Sequence, residues 1–358
     1  MVSAIRSPGS TLKPFIYGVG FEDRMIHPLT TVYDVPTLFG DYAPKNFMRD
    51  FAGAVSVATA LQLSLNVPAV TVLDGIGPRR FSEIFARAGA PFVFPSGEQV
   101  PALPIALGGT GQSLEKLVML YAAIARGGDV LPLVYDMAGE RHEAIEFLSA
   151  ETAGYLKAIM LGTKRPTGFL SAKFSGLQRK MAYKTGTSYG YRDAWAIGFS
   201  NTYTIGVWVG RPDGTPHYNF IGLDAAKLLL QAFDAVLDGK DEKELVTVPI
   251  SERPAGLSVF PRKSYLSSRK AGTSQFRIMF PPKDAMLELS KAENEPRSIV
   301  LKAKSGKRPY KWMVNGKLVG QSLLENRFAW TPSEPGAYKI TAIDQAGAHD
   351  TVRVWLSE

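Results

Sequence analysis

Pro8-Gly9-Ser10-Thr11-Leu12-Lys13-Pro14 places a hydroxyl and an amine three residues apart at the start of a helical pattern. One helical turn brings residues at that spacing onto one face, so Lys13 is set beside the Ser10 oxygen. A lysine amine is protonated at neutral pH, but burial and neighbouring cations depress its pKa and let it accept a serine proton. Pro8-Gly9 forms a tight turn into a helix start, where backbone N–H groups face the nucleophile and an incoming carbonyl. Pro14 then falls in the first turn, where a missing N–H costs little. The spacing alone is weak. A chain of this length carries on the order of one such match by chance, and Ser113-Leu114-Glu115-Lys116 and Ser267-Ser268-Arg269-Lys270 match as well.

Working outward, Ser64-Leu65-Asn66 is the sole S-x-N of the chain, and it falls at an expected helix end where both polar side chains can face a cleft. Lys184-Thr185-Gly186-Thr187 is the sole K-T-G, at the end of an expected strand, where Gly186 lets the strand edge approach a ligand closely. Other chemistries are excluded or disfavoured. With no cysteine there is no disulfide scaffold, thiolate metal site or cysteine nucleophile. His27, His142, His217 and His349 show no HxxxH or HExxH spacing, which disfavours a metal site or a serine-histidine triad. No metal and no cofactor is expected, and a base other than histidine must serve. Gly108-Gly109-Thr110-Gly111 lacks the G-K-[ST] continuation of a phosphate loop, so it is assigned to a cleft wall without a catalytic role.

The chain has 358 residues, 45% of them hydrophobic and 21% charged, the composition of an ordered globular protein and, by length, of two domains. No apolar run reaches the roughly 18 residues a membrane span requires; the nearest, Leu117 to Ala125, stops at Arg126 and Gly127. Residues 1–15 carry Arg6 and Lys13 but no signal-peptide core. Residues 1–250 hold 23 Lys plus Arg against 23 Asp plus Glu, while residues 251–358 hold 18 against 10, so the whole net charge of +8 belongs to the tail. A step of that kind marks a domain boundary. An ordinary solvated basic face and a face that meets an acidic polymer both fit it.

The first part reads as mixed α and β. Helices are predicted over Phe51 to Ser64, ending near Asn66 and Pro68; over Ser113 to Ala125; after Ser149 as N-cap to Gly162; and over Ala225 to Leu237. Strands are predicted over Met181 to Thr185, Asp193 to Ser200 and Thr202 to Val209, the last two joined by a hairpin at Ser200-Asn201. After Val246, short alternating segments punctuated by Pro and Gly have the spacing of an all-β sandwich: Phe276 to Phe280, Ser298 to Ala303, Lys311 to Val314, Arg327 to Thr331, Ala337 to Ile343 and Thr351 to Leu356. Trp312, Trp330 and Tyr338 are expected in its core, and Asn315-Gly316 reads as a type I′ turn. The expected domains are therefore residues 1–245 and 246–358.

The ordered set S-x-x-K, S-x-N and K-T-G is the signature of penicillin-binding proteins and class A β-lactamases. Gly9-Ser10-Thr11-Leu12-Lys13-Pro14-Phe15, Tyr42-Ala43-Pro44-Lys45-Asn46, Ser64-Leu65-Asn66-Val67-Pro68-Ala69 and Ala106-Leu107-Gly108-Gly109-Thr110-Gly111 resemble the transpeptidase domain of class A penicillin-binding proteins. The β-rich tail resembles the C-terminal domain of the 1C group of that family. The resemblance covers nearly the whole chain. It implies an α+β transpeptidase fold of the penicillin-binding-protein and β-lactamase type, truncated at its N-terminus, followed by an immunoglobulin-like β-sandwich.

The resemblance also implies an activity, a serine D,D-transpeptidase that cross-links peptidoglycan stem peptides. Ser10 would attack the carbonyl between two terminal D-alanines and Lys13 would remove its proton. Ser64 would relay a proton to the leaving amine, and Asn66 would orient Lys13 and bind the substrate amide. Lys184 would face the terminal carboxylate, held by Thr185 and Thr187 beside Gly186, and the backbone N–H groups of Ser10 and Thr187 would form the oxyanion hole. The implied partners are the D-alanyl-D-alanine donor, an amine acceptor, β-lactams as donor mimics, and cell-wall synthesis proteins reached through the C-terminal domain. No nucleic acid is implied. The family carries a membrane anchor, a glycosyltransferase domain and early transpeptidase strands ahead of the nucleophile, whereas nine residues precede Ser10 here. The expectation is thus a truncated domain working in the periplasm, at the outer face of the inner membrane, held there through an upstream anchor. Two other readings stay open: a carboxypeptidase or β-lactamase type of hydrolase, and a noncatalytic fragment whose sandwich binds the cell wall or a protein. For the hydrolase, no acidic residue follows Ser64-Leu65-Asn66 in an obvious motif.

Overall fold

A computed structural model describes residues 2–40, 42–46, 50–94, 100–136, 142–166, 180–216, 221–238, 240–260, 276–282, 284–288, 298–304, 306–323 and 325–357. The chain divides into two compact units, Met1–Tyr265 and Leu266–Glu358.

In the first unit a 3-10 turn at Gly9–Leu12 runs into α1 (Lys13–Glu22), with Pro14 in its first turn. Lys13 to Phe21 are all buried, which makes α1 a central helix with no solvent face. The short strands β1 (Thr31–Asp34) and β2 (Gly53–Ser56) pair antiparallel, and α2 (Val57–Gln62), α3 (Asn66–Ile76) and α4 (Pro78–Arg87) follow. Next come α5 (Leu114–Arg126) and α6 (Ala150–Leu161). The side chains of Ser113 and Ser149 cap these two helices by accepting from Lys116 N and Thr152 N. The strands β3 (Ala182–Thr187), β4 (Asp193–Phe199) and β5 (Thr204–Gly210) form an antiparallel sheet in that order, and α7 (Gly222–Leu237) closes the unit.

Alternation along the strands sorts the core. Ala182, Trp195, Ile197 and Phe199 join α1, α3, α5 and α6 on one face of the sheet, while Met181, Tyr183, Ala194 and Ala196 pack on α7 on the other. Every residue of β4 is buried, as in a central strand covered on both faces.

Two expectations about helices are corrected. The helix predicted over Phe51 to Ser64 begins only at Val57, because Gly53–Ser56 pairs with β1 and Ser56 then caps α2. Nor does a helix end at Pro68: α3 starts at Asn66 and carries that proline in its first turn, where its missing N–H has no intrahelical acceptor to lose. The segment 246–260, expected with the second domain, lies with the first unit. Phe260 N donates to Thr31 O at 2.9 Å, and Ile250 and Phe260 pack on the first core.

In the second unit the strands β10-β9-β12-β13-β7 form one sheet and β11-β8-β6 another. They span β6 Arg277–Phe280, β7 Ala285–Glu288, β8 Ile299–Lys304, β9 Tyr310–Val314, β10 Lys317–Ser322, β11 Arg327–Trp330, β12 Gly336–Ile343 and β13 His349–Ser357. Trp312, Trp330, Leu301, Ile340 and Val354 fill the core, and the indole of Trp312 donates to Ser322 Oγ at 2.7 Å. Tyr338 is only half-buried and stands edge-on to Trp330. Asn315 and Gly316 both have positive φ, at 48° and 81°, as a type I′ turn requires. No helix among the described residues is long and apolar enough to cross a membrane.

Candidate active site

The Ser10 turn is held from four sides. Thr11 donates its N–H and its hydroxyl to Pro8 O, at 3.2 and 2.8 Å, which tightens the turn around Ser10. Tyr121 of α5 donates to Thr11 O at 2.7 Å, Trp195 of β4 to Ser7 O at 2.8 Å, and Ser7 Oγ to Gly108 O at 2.7 Å. Gly9 sits at φ +53° against the end of β3, where a Cβ would fall 2.5 Å from Thr187 O and 3.0 Å from Thr187 N. Gly186 is equally close, since its Cβ would meet Pro8 O at 2.6 Å. The two glycines therefore let the turn and the K-T-G strand touch backbone to backbone.

Lys13 is fully buried one turn beyond Ser10. Its Nζ donates to Ser64 O at 2.5 Å and Asn66 Oδ1 at 2.6 Å, and lies 3.5 Å from Ser64 Oγ. Lys184, 2% exposed, donates to the same Ser64 Oγ at 2.8 Å and to Thr185 O at 3.0 Å. Ser64 itself has φ +57°, a left-handed conformation rare for a residue with a side chain. That backbone turns the α2–α3 link so that its carbonyl and hydroxyl both face the amines. Burial and then the charge of Lys184 hold the Lys13 amine well below the ordinary lysine range, against a smaller raising effect of Asp34. Burial brings Lys184 down to about 7. Desolvation is thus the largest influence on both amines and lowers the proton affinity of each.

The K-T-G strand faces the turn with its outer edge. Ser188 N donates to Asp193 O across to the β4 side at 2.9 Å, so alternation aims the Thr187 amide away from β4, toward Gly9. Thr187 Oγ1 accepts from Gly222 N, at the start of α7, at 2.9 Å, which leaves its hydroxyl proton free to donate. Thr185 and Thr187 are half-exposed, while Lys184 and Gly186 are buried.

The structure thus brings Ser10, Lys13, Ser64, Asn66, Lys184, Gly186 and Thr187 to one place from three segments far apart in sequence, the Lys184–Ser64 contact alone spanning 120 positions. Of the two rival S-x-x-K matches, Ser113 is a helix cap spent on Lys116 N, and Ser267 to Lys270 lie outside the described residues. Sequence reasoning missed four supports: Tyr121, Trp195, Asn46 and Asp34. Asn46 Oδ1 accepts from Asn66 N at 2.8 Å, and Asp34 Oδ2 accepts from Asn46 Nδ2 at 2.7 Å. A signal did exist for Asn46, which belongs to the quoted Tyr42 to Asn46 motif; the others are revealed only by contact. A cavity of about 370 Å³, lined by Val2, Arg6, Leu114, Trp195, Trp208 and Gly210 among others, holds none of the predicted site residues and shares only Trp195 with the supports of the Ser10 turn. Chemically, the cluster offers the Ser10 hydroxyl one turn before a buried amine, a hydroxyl shared by two amines, and a strand edge with N–H and O–H donors suited to an anionic or carbonyl oxygen.

Comparison with known proteins agrees with this geometry. The family model of the penicillin binding protein transpeptidase domain matches residues 1–220, and that of the penicillin-binding protein C-terminus family matches residues 266–354. Penicillin-binding protein 1C of Escherichia coli strain K12 is 43% identical over 239 residues, 66% of this chain and 30% of that protein. Penicillin-binding protein 4 of Bacillus subtilis strain 168 is 32% identical over 230 residues, 59% of this chain and 35% of that protein. The chain therefore spans about a third of the length of these relatives. Among solved structures, PonA1 of Mycobacterium tuberculosis in complex with penicillin V superimposes with a TM-score of 0.57 at 19% identity, covering 71% of this chain and 77% of that one, and so shares the fold.

Proposed function

The chain belongs to the penicillin binding protein transpeptidase domain family, and from that membership we propose that it is a serine D,D-transpeptidase joining peptidoglycan stem peptides through an acyl-enzyme on Ser10. The observation that carries this reading is the Ser64 hydroxyl, set between the amines of Lys13 and Lys184.

In the proposed reaction the stem peptide lies along β3 with its terminal carboxylate at Lys184 and the Thr185 and Thr187 hydroxyls. Lys13, its proton affinity lowered by burial, takes the Ser10 proton as Oγ attacks the penultimate D-alanine carbonyl. The amides of Ser10 and Thr187 receive the oxyanion, each donor contributing about 3 to 4 kcal/mol to the transition state. Collapse breaks the peptide C–N bond, and the proton held by Lys13 passes through Ser64 to the leaving amine. Free D-alanine departs, and an acceptor amine attacks the ester by the reverse relay. A β-lactam follows the first half and stays attached. The work is proposed to take place outside the cytoplasmic membrane, where that substrate lies.

The test is incubation with a stem peptide ending in D-alanyl-D-alanine and an amine acceptor, with products resolved by mass. The reading expects a cross-linked product and one D-alanine per link, both lost in Ser10→Ala. D-alanine without a cross-link would replace it with a hydrolase.

A further inference from the structure

Asp34 ends β1 as a fully buried carboxylate, and the reaction as proposed makes no use of it. Its Oδ2 accepts from Asn46 Nδ2 at 2.7 Å and from Ala52 N at 2.8 Å. Asn46 spends its remaining amide capacity on the same cluster, donating to Asp50 O at 2.8 Å and accepting from Asn66 N at 2.8 Å. Asn66 is held again through its Nδ2 on Lys45 O at 2.6 Å, which leaves Oδ1 aimed at Lys13 Nζ, 2.6 Å away. Each amide orientation in this chain is fixed by its neighbour. We infer that Asp34 is a positioning residue for Lys13, its buried carboxylate fixing through Asn46 the Asn66 oxygen that receives the lysine amine.

A second observation gives the carboxylate an electrostatic part as well. Its other oxygen, Oδ1, is buried without a hydrogen-bond partner, and so is the hydroxyl of Tyr17, one turn beyond Lys13 on α1. A carboxylate so poorly solvated keeps an undamped field. The charged and titratable groups facing Lys13 are Lys184 from β3, which lowers its proton affinity, and Asp34 from β1, which raises it. Tyr17 stays neutral on α1, because burial raises its pKa well above the ordinary tyrosine value, and the α2–α3 link contributes the uncharged Ser64 and Asn66. Asp34 thereby offsets part of the lowering that burial and Lys184 impose on the Lys13 amine. Its importance to catalysis rests on the transpeptidase reading; its coupling to Lys13 does not.

Asp34→Asn separates the two roles, since the amide oxygen accepts the same two N–H bonds while the charge is gone. The experiment follows the 13Cε resonance of Lys13 against pH, assigned by its loss in Lys13→Met, in the full chain and in the folded Asp34→Asn and Lys184→Met variants. Circular dichroism establishes folding. The expected result is a midpoint about one pH unit lower in Asp34→Asn and a higher one in Lys184→Met. The acid limb of benzylpenicillin acylation should move down with the first. Rescue in Asp34→Glu of the midpoint but not of the plateau rate would assign the rate to geometry, and so support the positioning role. An unmoved Lys13 midpoint in a folded Asp34→Asn protein overturns the electrostatic part, and a wild-type plateau rate in a folded Asp34→Ala protein, which accepts neither N–H bond, overturns the positioning role. If the wild-type chain forms no Ser10 adduct, the transpeptidase reading falls while the titration still decides the coupling.

Discussion

Lys184 Nζ lies 2.8 Å from Ser64 Oγ, one polar contact that ties the K-T-G strand to the S-x-N turn across 120 residues of sequence. The same turn places its carbonyl 2.5 Å from Lys13 Nζ. The hydroxyl thus sits between the two amines, and in the proposed reaction it is the group that passes the proton from Lys13 toward the leaving amine.

Ser64→Ala should therefore leave the fold intact and slow acylation by benzylpenicillin by about 100- to 1,000-fold, the range of a lost proton-transfer group. Stopped-flow acylation checks the rate and thermal melting the fold. A near wild-type rate would remove Ser64 from the relay.

Lys184 predicts a trade of stability for chemistry. Its folded pKa of about 7 lies below the ordinary 10.5, so between those values the unfolded chain holds the extra proton and stability rises with pH. The burden is complete below about pH 7 and gone above about pH 10.5. Replacing a buried, poorly compensated charge by an apolar group of similar length stabilises by roughly 1 to 4 kcal/mol. Lys184→Met should accordingly melt higher at pH 6 to 7, with a shallower pH dependence, while losing acylation. A lower melting temperature at pH 6 would contradict the burial argument.

Gly9→Ala tests the contact of turn and strand. Alanine at φ +53° costs about 1 to 2 kcal/mol, and its Cβ at 2.5 Å from Thr187 O forces β3 outward. Displacing the proposed oxyanion donor of Thr187 by about 1 Å should lower acylation on the order of 100-fold. A variant that acylates normally would show that the approach of Thr187 to the turn is immaterial.

Tyr121→Phe keeps the ring packed on Phe15 but strands the buried Thr11 carbonyl. An unmet buried acceptor costs about 1 to 3 kcal/mol, measurable by urea unfolding. No change would mean that the turn is anchored elsewhere.

Much of this was legible in the sequence, for local reasons. Ser149 announced its helix as a cap, Asn315-Gly316 announced its hairpin, and the three motifs pointed to the cluster. What escaped was decided by distant partners. Gly53–Ser56 is a strand because β1 lies beside it, and nothing within Phe51 to Ser64 says so. The left-handed turn at Ser64 and the Asp34–Asn46–Asn66 chain likewise arise from contacts between separate segments. One omission had a local sign: α4 opens with Pro78 after Gly77 and buries Phe81 and Phe85, four residues apart, a helical stripe that the sequence displays.

The central claim is that Ser10 is an activated nucleophile, and intact mass after incubation with benzylpenicillin addresses it most directly. The account predicts a stoichiometric adduct of one penicillin per chain, absent in Ser10→Ala and strongly slowed in Lys13→Met. A folded wild-type protein that gains no mass, or a Ser10→Ala protein that still does, would contradict it.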